Sequence, residues 1–408
     1  MTKLDDFYYF SLWLKVKKDG GEQKMDFSNL DTMESRIVLM KELSNRFLTR
    51  AHEIDIEASF PFMNIQELKD SGYTALTLPL HYGGKALSLY EFIRLQEIIA
   101  EGDGSTALSI GWHMGIILNQ RENQTWEDRL FTFLCEKVKE GALLNSAATE
   151  PKTGSPTRGG RPETTAEKSG DQWLIKGRKN FTTMSPVLDY FIVSASIQDS
   201  DEIGNFLIPR SAEGVQIEET WDSIALRATG SHDLILDHVK IPQENLVEIL
   251  KKKENKANGW LLHIPACYLG IAKAAQRYAI QFAKEYSPNS IKVPIVELPT
   301  VQQKIGEMEL KIMQSEYFLY GAAKQWDAAT EPERGRMGAA LGAAKLTVTN
   351  NAIEVVDLAM RIVGAKSLSL KNPLQRYYRD VRAGLHNPPM DDMTIAQLAK
   401  HRIINNQA

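Results

Sequence analysis

Cysteine is nearly absent. The 408-residue chain holds two, Cys135 and Cys267, far apart and outside any metal-ligand spacing. A disulfide-framed secreted domain and a cysteine-based metal module are thereby excluded as organising principles, and both thiols fall in apolar helical patterns. Two buried, reduced cysteines in a cytoplasmic protein are the expectation. Charge of one sign is also missing, since 48 Lys and Arg face 52 Asp and Glu for a formal net charge of −4. Nothing here calls for nucleic acid or an anionic membrane surface. Long apolar runs are missing as well. The stretch DFYYFSLWLKV (6–16) is shorter than the roughly 20 residues of a membrane span. Asp5 and Asp6 stand where a signal peptide carries positive charge. That stretch reads as a docking segment or an extension ahead of Met25. No internal repeat and no low-complexity tract occurs.

What is present is ordinary globular material, 43% hydrophobic and 25% charged, in a chain long enough for two or three domains. Its periodicity changes twice. SRIVLMKELSNRFLTRAHEI (35–54) and LYEFIRLQEIIAEG (89–102) space apolar residues by three and four, as helices do. Between them LTLPLHYGG (76–84) is a turn-rich crossing. From about 141 the pattern becomes short β runs: WLIKG (173–177), YFIVSAS (190–196), NFLIP (205–209) and LILDHVKIP (234–242). From about 257 helical spacing returns at 258–286, 298–328, 335–364, 374–383 and 391–405, as in a helical bundle. The reading is an α+β multidomain chain: an N-terminal α-helical domain (1–140), a middle antiparallel β-barrel or sandwich domain (141–250) and a C-terminal four-helix-bundle domain (251–408).

The β block carries the first chemical signal. NSAATEPKTGS (145–155) is rich in hydroxyls and glycine, and such a loop offers backbone N–H groups to a polar ligand edge or a pyrophosphate. Taken alone it also reads as a solvated surface loop. GDQWLIKGRKNFTTMSP (170–186) and DSIALRATGSHDLILDHVKIPQENLV (222–247) follow it.

Together these stretches resemble the middle domain of the acyl-CoA dehydrogenase superfamily. That family has a T-E-P-x-x-G-S loop, a G-x-K strand and an M-G-x-R-(A/G)-T turn leading to a V-x-V-P exit. FPFMNIQELKDSGYTALTLPLHYGG (60–84), EGDGSTALSIGWHM (101–114) and LAMRIVGAKSLSLKNPLQRYYRDVR (358–382) extend the resemblance over most of the chain. It implies a flavin cofactor, FAD or alternatively FMN, with Ser146, Ala148 and Thr149 at the ring's polar edge. Gly154 and Ser155 would approach the pyrophosphate or a CoA portion. Phe181 would shield one ring face, with Thr182 and Thr183 near N5. Gly364 either packs a helix or lets it approach the cofactor of a neighbouring subunit, in a homotetramer or homodimer.

Three departures stand out. Where the family has an arginine for the FAD diphosphate, KEYSPNSIKVP puts Tyr286 and Ser287, and Arg361 replaces a customary glutamine. Arg361 is a candidate for the missing cation. The family's catalytic glutamate lies nine residues after the arginine of the R-D pair; counting from Arg379 gives Pro388. A minority branch places its base on the first bundle helix, where Trp260 stands.

RDVRAGLHNPPMDD (379–392) instead breaks its helix at two prolines and offers His386, Asp391 and Asp392 as catalytic candidates. His386 reads either as a structural helix-end residue or as an acid–base group, since imidazole titrates near neutrality. At least one aspartate reads as a helix cap or first-turn charge. L-H-N-P resembles the flavin-dependent monooxygenase branch. The leading expectation is α,β-dehydrogenation of an acyl-CoA thioester, with hydride transfer to the flavin, a non-standard base and an electron-acceptor protein. The alternatives are a monooxygenase acting on an aromatic or heterocyclic substrate with a flavin reductase as partner, and a non-catalytic flavin- or acyl-CoA-binding member.

Overall fold

The computed structural model describes residues 26–154, 159–250 and 257–405. The 6–16 stretch and Ser155 lie outside them. Five helices open the described chain: α1 (Met33–Glu57), α2 (Phe62–Asp70), α3 (Leu89–Gly102), α4 (Gly104–Asn123) and α5 (Asp128–Lys139). Each long start is signalled locally. Thr32 caps α1 by accepting from the Ser35 N–H at 3.2 Å. Ser88 and Glu91 form a reciprocal capping box at α3. Asp103 ends α3 and caps α4, accepting from the Thr106 N–H at 2.8 Å. Phe27, Met40, Leu43, Phe47 and Phe92 fill the space between these helices.

The middle block is a single eight-stranded sheet among the described residues. Its strands are β1 (Leu144–Ala147), β2 (Thr165–Ser169), β3 (Gln172–Thr182), β4 (Tyr190–Ile197), β5 (Ile203–Pro209), β6 (Val215–Glu218), β7 (His232–Pro242) and β8 (Leu246–Ile249). The order is β6-β7-β3-β2-β4-β5-β8, with β1 beside β4. Most pairs are antiparallel, but β1 and β2 both run parallel to β4. A hairpin cannot make a parallel pair, so the chain must cross over. β1 meets β4 at Tyr190–Val193 and β2 meets it at Ser196–Ile197, and the chain returns to β4 from β2 through the antiparallel strand β3. β4 reads as a nearly continuous apolar run because it is buried on both faces.

The last block comprises α6 (His263–Glu285), α7 (Pro299–Ala328), α8 (Gly338–Val363), α9 (Pro373–Asp380) and α10 (Asp391–Asn405). Helix α6 touches α3 at Gly270, where a Cβ would stand 2.2 Å from the Glu97 carbonyl oxygen, so only glycine permits this approach. Both cysteines are free and buried, as expected. No described helix is long and apolar enough to cross a membrane.

Candidate active site

An irregular local geometry lies at the end of β3. Its pairing with β7 shifts between Lys179 and Thr182, a bulge that leaves Phe181 at φ +54°. The bulge turns the Phe181 ring outward, 59% exposed, with Trp221 edge-on at 6.0 Å. Thr182 points the other way. Its Oγ1 and the Asn180 Oδ1 are buried without hydrogen-bond partners among the described residues. Such groups are costly to leave unpaired, about 1–3 kcal/mol each.

The loop after β1 meets this bulge directly. The Asn180 N–H donates to the Thr149 carbonyl at 2.9 Å, and Asn145 Nδ2 donates to the Thr183 carbonyl at 2.9 Å. Thr183 Oγ1 lies 2.9 Å from Ser231 Oγ, which lies 2.8 Å from Thr229 Oγ1. Ala148 and Thr149 are half-buried, and Ser146 is exposed at the sheet edge. Gly154 has φ +66° with open space where a side chain would project. An exposed aromatic face, unpaired polar atoms and an open glycine suit a planar aromatic ligand with a polar rim and a phosphate tail. These residues therefore fit a flavin.

The loop from Trp221 to Thr229 is fastened from the helical side. Arg379 Nη1 donates to the Ile224 carbonyl at 2.7 Å, and its Nη2 donates to Asp55 on α1 at 2.5 Å. The Leu226 N–H donates to Asp380 Oδ1 at 2.6 Å. The R-D pair thus joins all three blocks. Burial pushes the Asp380 carboxyl up to about 7, against the Leu226 hydrogen bond and the Arg376 charge, which pull it down.

Six residues beyond Asp380 the chain reaches the proline corner. Tyr268 on α6 donates its hydroxyl hydrogen bond to Asn387, and Gly384 packs against Tyr268 and Thr349. The backbone is held, while the His386 side chain is exposed and has no hydrogen-bond partner among the described residues. No hydrogen bond or ring contact joins it to the Phe181 cluster. Asp391, in the first turn of α10, is engaged differently. It lies 3.4 Å from the buried Lys345 Nζ and accepts from Asn350 Nδ2 at 2.9 Å, docking α10 on α8. Asp392 is exposed in the same turn.

Arg361 is exposed and ion-paired with Asp357 at 2.6 Å. Gly364, just past α8 at φ +69°, has open space around it. Neither touches the β edge within one chain. The cation that meets Tyr286 is another residue: Lys366 Nζ sits 3.9 Å from its ring centroid. Lys366 escapes notice in sequence because a cation–π contact has no spacing signature. Trp221 is hidden likewise, since what marks it is the ring of Phe181, distant in the chain.

Three family models match in order: the acyl-CoA dehydrogenase N-terminal domain at 37–123, the middle domain at 145–239 and the C-terminal domain at 262–387. The chain belongs to the acyl-CoA dehydrogenase family. It is 54% identical over 358 residues to YdbM of Bacillus subtilis (strain 168), covering 88% of this chain and 93% of that protein, whose own naming as an acyl-CoA dehydrogenase is provisional. Butyryl-CoA dehydrogenase from Megasphaera elsdenii shares the fold with a TM-score of 0.79 at 21% identity, covering 93% of this chain and all of that one. TdsC from Paenibacillus sp. A11-2, solved with FMN and indole, shares it with a TM-score of 0.78 at 23% identity, covering 89% and 96%. The 145–155 and 170–186 stretches both lie inside the matched middle domain.

Proposed function

We propose that the protein is a flavin-dependent oxidoreductase whose proton-transfer group is the His386 imidazole rather than a carboxylate. The observation that carries this is the corner itself. Pro388 stands nine residues after Arg379, and Asp391 is bound to Lys345 and Asn350. His386 alone among the three candidates is exposed on a pinned backbone and without a hydrogen-bond partner among the described residues. A bound flavin supplies two-electron chemistry at its ring. Phe181 would cover one face of that ring, Thr149, Asn180 and Thr183 would hydrogen-bond its rim, and Gly154 would admit the phosphate end. The imidazole would then exchange a proton with a phenol, amine or ring N–H of the substrate.

This arrangement supports reduced-flavin monooxygenation of an aromatic or heterocyclic substrate, with a reductase as the flavin's supplier. FMN and FAD both fit the described edge; Lys366 over Tyr286 would take the place of the family's diphosphate arginine if FAD is used. Dehydrogenation of an acyl-CoA thioester is the second reading. The 54% identity to YdbM favours it, and it requires the same imidazole to remove an α-proton. Exposed Leu368 and Leu370 beside Gly364 support a homodimer or homotetramer contact on that face.

An oxygen electrode and an anaerobic cuvette separate the readings. Oxygen uptake that requires both reduced FMN and indole, used as a probe substrate, supports monooxygenation. Anaerobic bleaching of bound FAD by butyryl-CoA supports dehydrogenation and would displace the first reading.

A further inference from the structure

Behind the flavin edge lies a charged pair that none of the assigned roles uses. Lys179 is fully buried, and its Nζ donates to Glu150 Oε1 at 2.6 Å. The Glu150 carboxylate is a hub. It also accepts from the Glu163 N–H at 2.6 Å, the Thr164 N–H at 3.0 Å and Thr153 Oγ1 at 3.0 Å. Its own carbonyl accepts from the Gly154 N–H at 2.9 Å, closing the loop on itself. One carboxylate therefore joins the T-E-P loop, the lead into β2 and the strand β3. Lys179 is the last residue before the bulge that carries Asn180, Phe181 and Thr182.

A buried ion pair is a poor source of stability. Desolvation offsets most of its attraction, and an apolar pair of similar volume usually serves the fold as well. What such a pair does provide is a single geometry, because each oxygen has its donors in fixed directions. Here that geometry sets the Thr149 carbonyl against the Asn180 N–H, and hence the loop against the bulge.

We propose that Glu150 and Lys179 are positioning residues that preorganise the flavin-binding edge, holding Thr149, Asn180 and Thr183 in register before any ligand arrives. The proposal rests on the flavin reading above and goes beyond it. Neither side chain touches the ligand site; both act through the loop and the bulge.

Two measurements test it. The wild-type chain is first titrated with FMN and FAD, and failure to bind either removes the flavin reading itself. Glu150→Gln and the double variant Glu150→Gln/Lys179→Met, which spares the fold a buried unpaired ammonium, are then titrated with the flavin that binds. The expected result is folded protein whose flavin dissociation constant rises about tenfold, as misplacement of a binding edge predicts. The bound flavin's visible bands and reduction potential should shift as well. A folded variant with wild-type affinity, bands and potential overturns the proposal. The second measurement uses only wild-type protein. Amide hydrogen exchange at Gly154 and Asn180 should be slow without flavin and unchanged by adding it. Fast exchange that slows only on binding means the ligand orders the edge, and overturns the proposal even if neither variant folds.

Discussion

The Leu226 backbone N–H donates a 2.6 Å hydrogen bond to Asp380, a carboxyl that is 3% exposed and raised to about 7 by burial. The native state therefore holds a proton there that the unfolded chain releases near pH 4. Linkage sets the sign: stability falls as pH rises from about 4 through 7, by up to roughly 1.4 kcal/mol per pH unit. Asp380→Asn keeps an acceptor for Leu226 and should flatten that slope. Urea unfolding at half-unit pH steps checks it; an unchanged slope in the variant rules Asp380 out as the cause.

Glu150 acts in the opposite direction. Burial raises its pKa, but hydrogen bonds from Lys179, Thr164 and Glu163 prevail and hold it at about 2. Its contribution is present above the unfolded value of about 4.5 and is lost as pH falls from there through 2. Glu150→Gln should remove the acid-limb loss in that window and leave the slope between 4 and 7 intact. Both limbs come from the same urea series, so each variant controls for the other.

Asp391 is expected to serve the fold. Lys345 is 2% exposed, and Asp391→Ala would leave its ammonium without its carboxylate. The predicted cost is about 1–3 kcal/mol of unfolding free energy, while turnover of the folded enzyme persists. A variant of full stability that has lost turnover would move the acid–base role from His386 to Asp391.

His386→Gln should do the reverse. The side chain is exposed, so unfolding free energy should change by less than about 0.5 kcal/mol. Turnover should fall roughly 10²–10⁴-fold, the usual worth of a positioned acid–base group. Stopped-flow rates of the two proteins at matched pH would show the loss. Undiminished turnover assigns proton transfer elsewhere.

The order of domains was legible because apolar spacing changes at the block boundaries and capping residues such as Ser88 and Asp103 mark helix starts. β1, β2, β6 and β8 were not, being four or five residues long and, as in TAEKS, polar. The parallel pairing of β1 and β2 with β4 depends on where a crossover loop runs, which spacing does not encode. In the site, the 145–155 loop and the G-x-K strand could be read from motifs, but the bulge that sends Phe181 outward and Thr182 inward could not. The pairing of Arg361 with Asp357 follows from their four-residue spacing on one helix. Lys366, Trp221 and the Glu150–Lys179 pair matter through contacts between distant positions.

The most direct measurement is a fluorescence titration of wild type and Phe181→Ala with FMN and FAD. Phe181 is 59% exposed and supports no core, so its loss should leave stability unchanged within about 0.5 kcal/mol. Wild-type protein should bind one flavin per chain, and the variant should bind it about tenfold more weakly, having lost an aromatic contact worth roughly 1–1.5 kcal/mol. Wild-type protein that quenches neither flavin, or a variant that binds as tightly as wild type, would contradict a flavin seated on the β3 bulge.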